Sequence, residues 1–271
     1  VDPSHPVTVR LEQIFPSRLV RTSRVVARVA LHEAGTGGPR GLPQVGKKLQ
    51  DLGELPEVSL DLIESPLVKQ VDLRDVKDGD YDLRFELLDG TESLGSAGTR
   101  LRVRAGLDQR ILALRQQSNK ASPELRPDIL YPLDFMRKIN TGLVQAGGFD
   151  VDAELAAAEA IGATVAKGTD PFKNRTGDFE RHYVLAEADE IMPYRVYVPS
   201  DYPKRGQYPL IVALHGLGGN EDSMVSDFYG MIPQAEQRGY IIVSPMGFRP
   251  DGGYGRGGPG ASRATDLSEK D

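Results

Sequence analysis

One stretch, LIVALHGLGGNEDS from Leu210 to Ser223, constrains the fold more than any other part of the chain. A continuous apolar run leads directly into a His-Gly-Leu-Gly-Gly turn, His215 to Gly219, and then into residues that favour a helix start. Glycines in such a turn let the backbone bend sharply and approach a ligand closely. N–H groups that converge near a helix N-terminus favour negative charge. The stretch therefore predicts a strand, an anion-stabilising turn and a helix, in that order.

The residues on either side of that stretch predict an α/β sheet. Two strands, RHYVLAE and PYRVYVPS, form a hairpin upstream of the apolar strand Tyr208–Leu214, and YIIVSP forms another apolar strand downstream. The helix between the apolar strands is predicted over Glu221–Arg238, with Gly239 as its terminating glycine. Uninterrupted apolar strands are typical of an α/β sheet that is covered on both faces. We therefore expect residues 179–271 to form the N-terminal half of a doubly wound α/β domain.

The first part of the chain, residues 1–106, alternates apolar and polar side chains with the period of a β-strand. Turn signals separate the runs, and so many short strands predict a β-sandwich with an immunoglobulin-like architecture. The alternating apolar runs are Val7 to Leu11, Val25 to Leu31, Val58 to Leu62, Tyr81 to Leu87, and Leu101 with Val103. Tyr81 follows Asp-Gly-Asp at a strand start, which fits both a tyrosine corner and a cross-strand aromatic residue.

Between these two regions, residues 107–178 predict a helical connector. LDQRILALRQQ carries an apolar stripe, and Asp152–Lys167 is rich in strong helix formers. Pro123, Pro127 and Pro132 interrupt the stretch between them. The pattern leaves open whether the connector packs on the first or the second domain.

Composition excludes several classes of protein. A net charge of -6 with scattered basic residues argues against a nucleic-acid or anionic-membrane surface, since both need a concentrated positive face. No apolar run approaches the ~20 residues of a membrane span. The absence of cysteine excludes disulfides, thiolate metal sites and a cysteine nucleophile. Asp222, Asp227, Asp251 and Asp266 lack the spacing of a metal site, so we predict neither a metal nor a cofactor.

The turn at His215 is of the kind that stabilises the oxyanion of acyl transfer, where one amide donor lowers the barrier by roughly 3 kcal/mol. An oxyanion requires a nucleophile, and in the α/β-hydrolase-fold esterases that this turn resembles, the serine lies in Gly-x-Ser-x-Gly between a strand and a helix. The nearest match, around Ser262, has Ala264 in the last position and follows a glycine-rich loop instead of a strand. No histidine follows His215 to act as the base. His182, on the first strand of the hairpin, is predicted to be structural.

The segments MPYRVYVPSDYPKRGQYPLIVALHGLGGNEDS and GYIIVSPMGFRPDGGYG resemble the N-terminal part of α/β-hydrolase-fold esterases. The most similar group includes secreted or periplasmic polyhydroxybutyrate depolymerases, feruloyl esterases and phospholipase/carboxylesterase-like enzymes, some of which carry an immunoglobulin-like domain in front. The resemblance covers residues 180–271 and extends to the front domain only in architecture. It implies a secreted or periplasmic serine esterase that acts on a small ester.

For the site, the resemblance implies that Leu217 donates one N–H to the oxyanion and that Gly216 and Gly218 shape the turn. It also implies that His215 and Tyr254 line the substrate cleft. The catalytic serine, acid and histidine are then expected beyond the last residue, in a C-terminal half of the domain or in a second chain. We expect this chain alone to show no esterase activity.

Two other functions fit the same residues, which do not determine the substrate or the oligomeric state. The front domain is a candidate carbohydrate- or protein-binding module. An exposed row of aromatic side chains would support that function, but the domain contains only Phe15, Tyr81 and Phe85. A serine peptidase is the other alternative, because peptidases on the same fold share the oxyanion turn and the acyl chemistry with esterases.

Overall fold

The computed structural model describes residues 1–11, 25–35, 45–55, 67–144 and 149–248. The chain divides into two compact units, Val1–Gln109 and Arg110–Asp271. The first unit is rich in β-strands, and the second combines helices with a mixed sheet. Most of the helical segment that the sequence assigns to a connector lies in the second unit.

Two sheets make up the described part of the first unit. Their strands are β1 (Val7–Leu11), β2 (Val25–Glu33), β3 (Lys48–Leu55), β4 (Leu67–Val71), β5 (Gly79–Asp89) and β6 (Glu92–Val103). The larger sheet has the order β3-β2-β5-β6, and each neighbouring pair is antiparallel. β1 and β4 form the smaller sheet, also antiparallel.

Side chains from both sheets share one hydrophobic core. The larger sheet contributes Leu31, Phe85 and Val103, and the chain in and after β4 contributes Val71 and Leu73. Along β5, Leu83 and Phe85 are buried at alternate positions as the sequence predicts, and the alternation breaks at an irregularity between Leu87 and Leu88, where Leu88 is the buried residue. Burial of each such side chain stabilises the fold by about 1.5–3 kcal/mol. The first unit is therefore a β-rich domain whose two sheets pack around a common core.

Tyr81 makes the hydrogen bond of a tyrosine corner near the start of β5. Its hydroxyl donates to the carbonyl oxygen of Lys77, 2.8 Å away. The ring folds back over Gly79, where a Cβ would lie 3.1 Å from the tyrosine oxygen. Of the two roles that the sequence left open for Tyr81, this geometry is that of the corner.

The second unit contains a mixed sheet of four strands in the order β7-β8-β10-β9. The strands are β7 (Gly177–Leu185), β8 (Glu190–Val198), β9 (Leu210–Val212) and β10 (Ile241–Pro245). β7 and β8 form the antiparallel hairpin that the sequence predicts. β10 pairs antiparallel with β8 and parallel with β9, so β9 and β10 have their carboxyl ends at the same edge of the sheet.

Three helices precede this sheet along the chain: α1 (Leu107–Ser118), α2 (Arg126–Asn140) and α3 (Val151–Ala166). α1 and α3 follow the predicted segments. α3 begins one residue earlier than predicted, because the side chain of Asp150 caps it by accepting the N–H groups of Asp152 and Ala153 at 3.1 and 3.2 Å.

The sequence does not predict α2, because its prolines suggest an interrupted segment. Pro127 lies in the first turn of the helix, where a missing N–H leaves no hydrogen bond unmade. Pro132 lies inside the helix and is fully buried. A proline at that position removes a helical hydrogen bond. Packing of α2 against α3, β7 and β8 offsets this loss, so tertiary contacts outweigh the local signal.

β9 is shorter than the predicted apolar run and is covered on one face only. Ile211 and Ala213 pack with Ile242 of β10 in the core of the sheet. Leu210 and Val212 point the other way and are 59% and 57% exposed. The expectation of a strand buried on both faces is wrong for β9, because no element in the described part of the chain covers its second face.

The predicted helix Glu221–Arg238 is wrong over its first half. The observed helix, α4, spans Met231–Arg238, and a short 3-10 turn at Asp227–Tyr229 precedes it. Gly230, with φ +58°, separates the two. Pro233 supplies the physical reason: it has no N–H and costs no hydrogen bond in the first turn of a helix, so a helix that starts close before it is favoured.

The end of α4 follows the prediction. Gly239 has φ +74° and donates its N–H to the carbonyl oxygen of Ala235 at 2.8 Å. Met231 and Ile232 of α4 pack on the sheet core, whereas Phe228 of the preceding turn is 87% exposed.

Three predicted elements lie outside the described residues. They are the strand Val58–Leu62, the glycine-rich loop before Ser262 from residue 249 onward, and a helix start that the capping residues Thr265 or Asp266 and the following acidic residues predict. Among the helices that the structure describes, none combines the length and the apolar character needed to cross a bilayer.

Candidate functional site

The turn that the sequence singles out follows β9. Because β9 and β10 are parallel, the residues after both strands lie at one edge of the sheet. In open α/β sheets, ligands bind outside the carboxyl ends of the strands. His215–Gly219 and Met246, which follow the two strands, therefore occupy the expected position of a ligand site.

A tight turn from Gly216 to Gly219 forms this part of the edge. The N–H of Gly219 donates to the carbonyl oxygen of Gly216 at 2.9 Å. Gly218 has φ +78°, which a type II turn requires at its third position. At Gly219 the reason is space, since a Cβ would lie 3.0 Å from the Gly216 oxygen, from the Cβ of His215 and from the hydroxyl of Ser223. Backbone conformation and space thus require the last two glycines of the turn.

The middle of the turn exposes backbone donors. Leu217 is 87% exposed. Amide groups strongly prefer to be hydrogen-bonded. The amides of Leu217 and Gly218, however, are not used as donors in the backbone hydrogen bonds of the described residues.

His215 ties the turn to the end of β10. The ring is buried, with Nδ1 2.8 Å from the carbonyl oxygen of Gly216 and Nε2 against the carbonyl oxygen of Met246. Both oxygens are acceptors, so a neutral imidazole donates to one of them and only the protonated ring donates to both. These contacts position the turn. The predicted contact between His215 and substrate stays a prediction.

A short loop after the turn brings one acidic side chain inward. The hydroxyl of Ser223 accepts the N–H of Asn220 and donates to the side-chain oxygen of the same residue, both at 2.9 Å. Within this loop, Glu221 is only 8% exposed, whereas the side chain of Asp222 is 53% exposed. Ser223 thus has a structural role, and Glu221 is held inside the domain.

Glu221 and Asp222 meet a third carboxylate from the first strand of the sheet. Oxygens of Glu180, Glu221 and Asp222 lie within 4.8 Å of one another. On β8, Arg195 lies opposite Glu180, and it donates to Asp178 at 2.7 and 2.9 Å and to Asp222 at 3.0 Å. We refer to Glu180, Glu221 and Asp222 as the carboxylate cluster.

The members of the carboxylate cluster oppose each other's ionisation. Burial, reinforced by the charges of Glu180 and Asp222, raises the pKa of Glu221 to about 7. Burial likewise raises the pKa of Asp222 against the opposing charge of Arg195. Oε2 of Glu221 has no hydrogen-bond partner within the described residues. The cluster is therefore a site of concentrated and incompletely compensated negative charge.

His182 follows Glu180 on the same face of β7 and lies beside the carboxylate cluster. Its ring stacks on Tyr131 of α2 with 3.9 Å between ring centroids, and its Nδ1 is 3.2 Å from Oδ1 of Asp128. Burial by itself would lower the pKa of His182, but the carboxylates of Asp128 and Glu180 outweigh burial and raise it. Packing of this kind is what the sequence predicts for a structural histidine.

Asp128 of α2 holds β7 in place. Its side chain is fully buried and accepts the backbone N–H of His182 at 2.8 Å and the guanidinium of Arg181 at 3.0 Å. A buried carboxylate with several donors positions them strongly, because each lost bond would leave a buried polar group unpaired.

A cavity of about 370 Å³ lies between α2, α3 and β7. Much of its wall is apolar, and Glu154, Glu180 and His182 are among its polar groups. Burial raises the pKa of Glu154, and the charge of Glu180 adds to this effect. The alanine-rich side of α3 lines part of this cavity.

The chain matches no protein-family model. No curated protein matches it either. Among solved structures, it is similar to a ferulic acid esterase from Anaeromyces mucronatus in complex with ferulic acid, with 24% identity, a TM-score of 0.26 and coverage of 36% of this chain and 41% of that chain. The same esterase without substrate matches with equal identity and TM-score, over 42% of its chain. The match thus spans about two fifths of those esterases, and a TM-score of this size does not establish a shared fold.

Two residues to which the sequence draws attention, Tyr254 and Ser262, lie outside the described residues, so their roles stay predictions. Sequence reasoning did not single out Glu180, Glu221 or Asp128. The sequence does show that Asp178, Glu180 and His182 occupy alternate positions of β7, which predicts that they share one face of the strand. That signal does not reveal which distant residues meet the face.

Proposed function

We propose that this chain carries the oxyanion-binding part of a serine carboxyl-ester hydrolase. The observation that carries the proposal is the turn from Gly216 to Gly219, which exposes the amides of Leu217 and Gly218 after β9. Ester hydrolysis passes through a tetrahedral intermediate whose oxygen bears negative charge. Donors at about 2.7–3.1 Å from that oxygen lower the barrier, because they are already oriented when the charge develops.

In the proposed reaction a serine hydroxyl attacks the ester carbonyl carbon and passes its proton to a histidine. The carbonyl electron pair moves onto oxygen, where the Leu217 amide stabilises it. Collapse of the intermediate expels the alcohol, which takes up the proton and leaves an acyl-serine that water then hydrolyses. The proposal places the serine, acid and histidine in a C-terminal half of the domain or in a second chain.

The same proposal includes the finer architecture of the two units. For the second unit, a half of a doubly wound sheet accounts for the exposed Leu210 and Val212 of β9, which further strands and helices would cover. For the first unit, the hydrogen bond from Tyr81 to Lys77 and the core shared by two sheets support an immunoglobulin-like sandwich.

The activity test compares two proteins. One is the 271-residue chain, and the other, the extended protein, is the same chain together with the C-terminal half or second chain that the proposal requires. We expect hydrolysis of p-nitrophenyl acetate by the extended protein and none by the shorter chain. A matched p-nitroanilide substrate separates an esterase from a peptidase. Ester hydrolysis by neither protein, or equal hydrolysis by both, contradicts the proposal.

A single substitution tests the oxyanion donor. Leu217→Pro removes the amide hydrogen, and proline is favoured at the second position of a type II turn, so the turn is retained. We expect kcat of the extended protein to fall about 10²–10³-fold. Leu217→Ala, which keeps the amide, is the matched control and should stay near the parent rate. Equal rates for the two variants would show that this amide does not bind the oxyanion.

A further inference from the structure

The cavity between α2, α3 and β7 has the size and the lining of a small-molecule site. Its volume is about 370 Å³. Sites for small molecules have volumes of about 300–1,000 Å³ and mostly apolar walls that carry a few polar groups. Much of this wall is apolar and is formed by Tyr131, Pro132, Ala158, Ile161 and Phe172. The cavity can therefore hold the apolar body of a small organic molecule.

The charged groups of the cavity are mostly acidic. Those that line it are Asp128, Glu154, Glu180, Arg175 and His182. Two of the carboxylates have basic partners. Oxygens of Asp128 lie 3.0 Å from the guanidinium of Arg181 and 3.2 Å from Nδ1 of His182. Oε1 of Glu180 lies 3.0 Å from Nε2 of the same histidine. The third carboxylate, that of Glu154, differs from these two.

Glu154, in the first turn of α3, is half-buried and has no basic partner. In the described parts of the chain, it forms neither a hydrogen bond nor an ion pair. Burial raises its pKa, and the charge of Glu180 adds to this effect. Partial burial disfavours an ionised carboxylate unless an opposite charge compensates it. A positively charged ligand beside Glu154 would supply that compensation.

Arg175, the arginine that lines the cavity, does not supply this charge. Its guanidinium lies over the rings of Phe172 and Phe179, 5.5 and 4.6 Å from their centroids. Aromatic faces attract a cation in this position. Arg175 is exposed and makes no ion pair with Glu154. The cavity thus combines an apolar wall with one uncompensated carboxylate.

We propose that this cavity binds a small organic amine in its protonated form. The ammonium group donates to the carboxylate of Glu154, in the kind of charge-assisted hydrogen bond that is stronger than a neutral one. The apolar body of the amine packs between α2 and α3, against Pro132, Ala158 and Ile161. The residues that line the cavity differ from those of the Gly216–Gly219 turn, so this site does not depend on the proposed ester hydrolysis.

Binding of two amines to the 271-residue chain tests the proposal. Phenethylamine has an aromatic body and hexylamine an aliphatic one. Hydrocinnamate, which has a similar shape but a negative charge, and uncharged phenethyl alcohol are the controls. We expect calorimetry to show one bound amine per chain, with the controls at least about tenfold weaker. Absence of saturable binding of both amines overturns the proposal, as does hydrocinnamate binding as tight as that of phenethylamine.

A substitution at Glu154 tests the charge. Glu154→Gln keeps the size of the side chain, so we expect the affinity for the amines to fall at least about tenfold and that for phenethyl alcohol to stay unchanged. Glu187→Gln removes an exposed glutamate outside the cavity and is the matched control. Circular dichroism checks the fold of each variant. Equal amine affinity in the parent and in folded Glu154→Gln overturns the assignment of Glu154.

A pair of alanine substitutions on α3 tests the location independently of the charge. Ala157 lines the cavity, whereas Ala163 is exposed on the same helix and does not. Ala157→Leu adds carbon atoms to the cavity wall and introduces another good helix former. We expect it to weaken amine binding several-fold, whereas Ala163→Leu should bind like the parent. Equal affinities of these two variants would place the amine outside the cavity and overturn the proposal.

Discussion

The turn from Gly216 to Gly219 and the carboxylate cluster are neighbours in the second unit, and they differ in both charge and construction. The turn offers amide hydrogens from consecutive residues, and its glycines hold it by φ and by space. The cluster concentrates negative charge from β7 and a loop, and Arg195 of β8 donates to its Asp222. A site made of consecutive backbone groups is determined locally, whereas a site made of distant side chains exists only when the whole unit has folded.

The pKa of a glutamate in this unit depends strongly on its surroundings, as Glu236 and Glu221 show. Glu236 of α4 accepts hydrogen bonds from the Ser200 hydroxyl, from the Tyr197 hydroxyl at 2.6 Å and from the Ser200 N–H at 3.0 Å. Those bonds, led by the Ser200 hydroxyl, lower the pKa of Glu236 to about 2. The pKa of Glu221, buried beside other carboxylates, is about 7. The following changes test both comparisons, beginning with the largest expected effect.

Of the substitutions considered, Asp128→Ala should lower the free energy of unfolding most. It removes the buried acceptor of Arg181 and His182 and leaves a largely buried guanidinium without its partner. Loss of one member of a buried ion pair costs about 3–5 kcal/mol, which denaturant unfolding measures. Asp72→Ala, which breaks an exposed pair with Arg74, is the control and should cost less than about 1 kcal/mol. Equal losses in the two variants contradict the support that we assign to Asp128.

The pH dependence of stability should identify Glu221. Its pKa is about 7 in the folded protein, against about 4.3 in the unfolded chain. The folded state therefore binds more protons between these values, and stability falls as pH rises through them. We expect a loss of the order of 1–3 kcal/mol between about pH 4.5 and 7.5. Unfolding at closely spaced pH values should show no such loss for Glu221→Gln; parallel curves would refute the assignment.

Alanine substitutions at the glycines of the turn should lower the stability of the protein by different amounts. Gly219→Ala places a Cβ 3.0 Å from three atoms and should cost about 1–3 kcal/mol. Gly218→Ala forces an alanine into φ +78° and should cost about 1–2 kcal/mol. Gly216→Ala meets nothing within 4 Å and serves as the control, with little change expected in chemical denaturation. A Gly216→Ala variant as unstable as Gly219→Ala would contradict this description of the turn.

Glu236→Gln should have the smallest effect and the opposite pH dependence. A carboxylate whose pKa is lowered to about 2 stabilises the fold above the unfolded value of about 4.3, and the contribution is lost as pH falls through the folded value. We expect the variant to be less stable than the parent at neutral pH and to converge with it in acid. Acid titration followed by circular dichroism measures this convergence, and a constant difference down to the lowest pH would contradict it.

Much of the second unit follows from local sequence patterns. The β7–β8 hairpin, the position of α3 and the glycine end of α4 agree with the sequence, because alternation, capping and helix termination each depend on residues close along the chain. The turn at His215 belongs to the same class. In the first unit, period-two alternation places β5 and β6 for the same reason.

The remaining features required contacts that local patterns do not encode. α2 continues through Pro132 because packing outweighs one lost hydrogen bond. β9 has one exposed face because covering it depends on other elements, not on its own apolar residues. The sequence does not predict the carboxylate cluster, because Glu180 and Glu221 are far apart along the chain and meet only in the folded protein.

By itself, the sequence determined that a glycine turn follows a short apolar strand, because the φ value that Gly218 adopts is a property of the residue itself. Only the tertiary structure decided which charged side chains surround that turn. The sheet brings β7 beside the loop at Glu221, and α2 aligns His182 through Asp128. Electrostatic interactions depend on distance in space, so they become defined only when the strands and helices have packed.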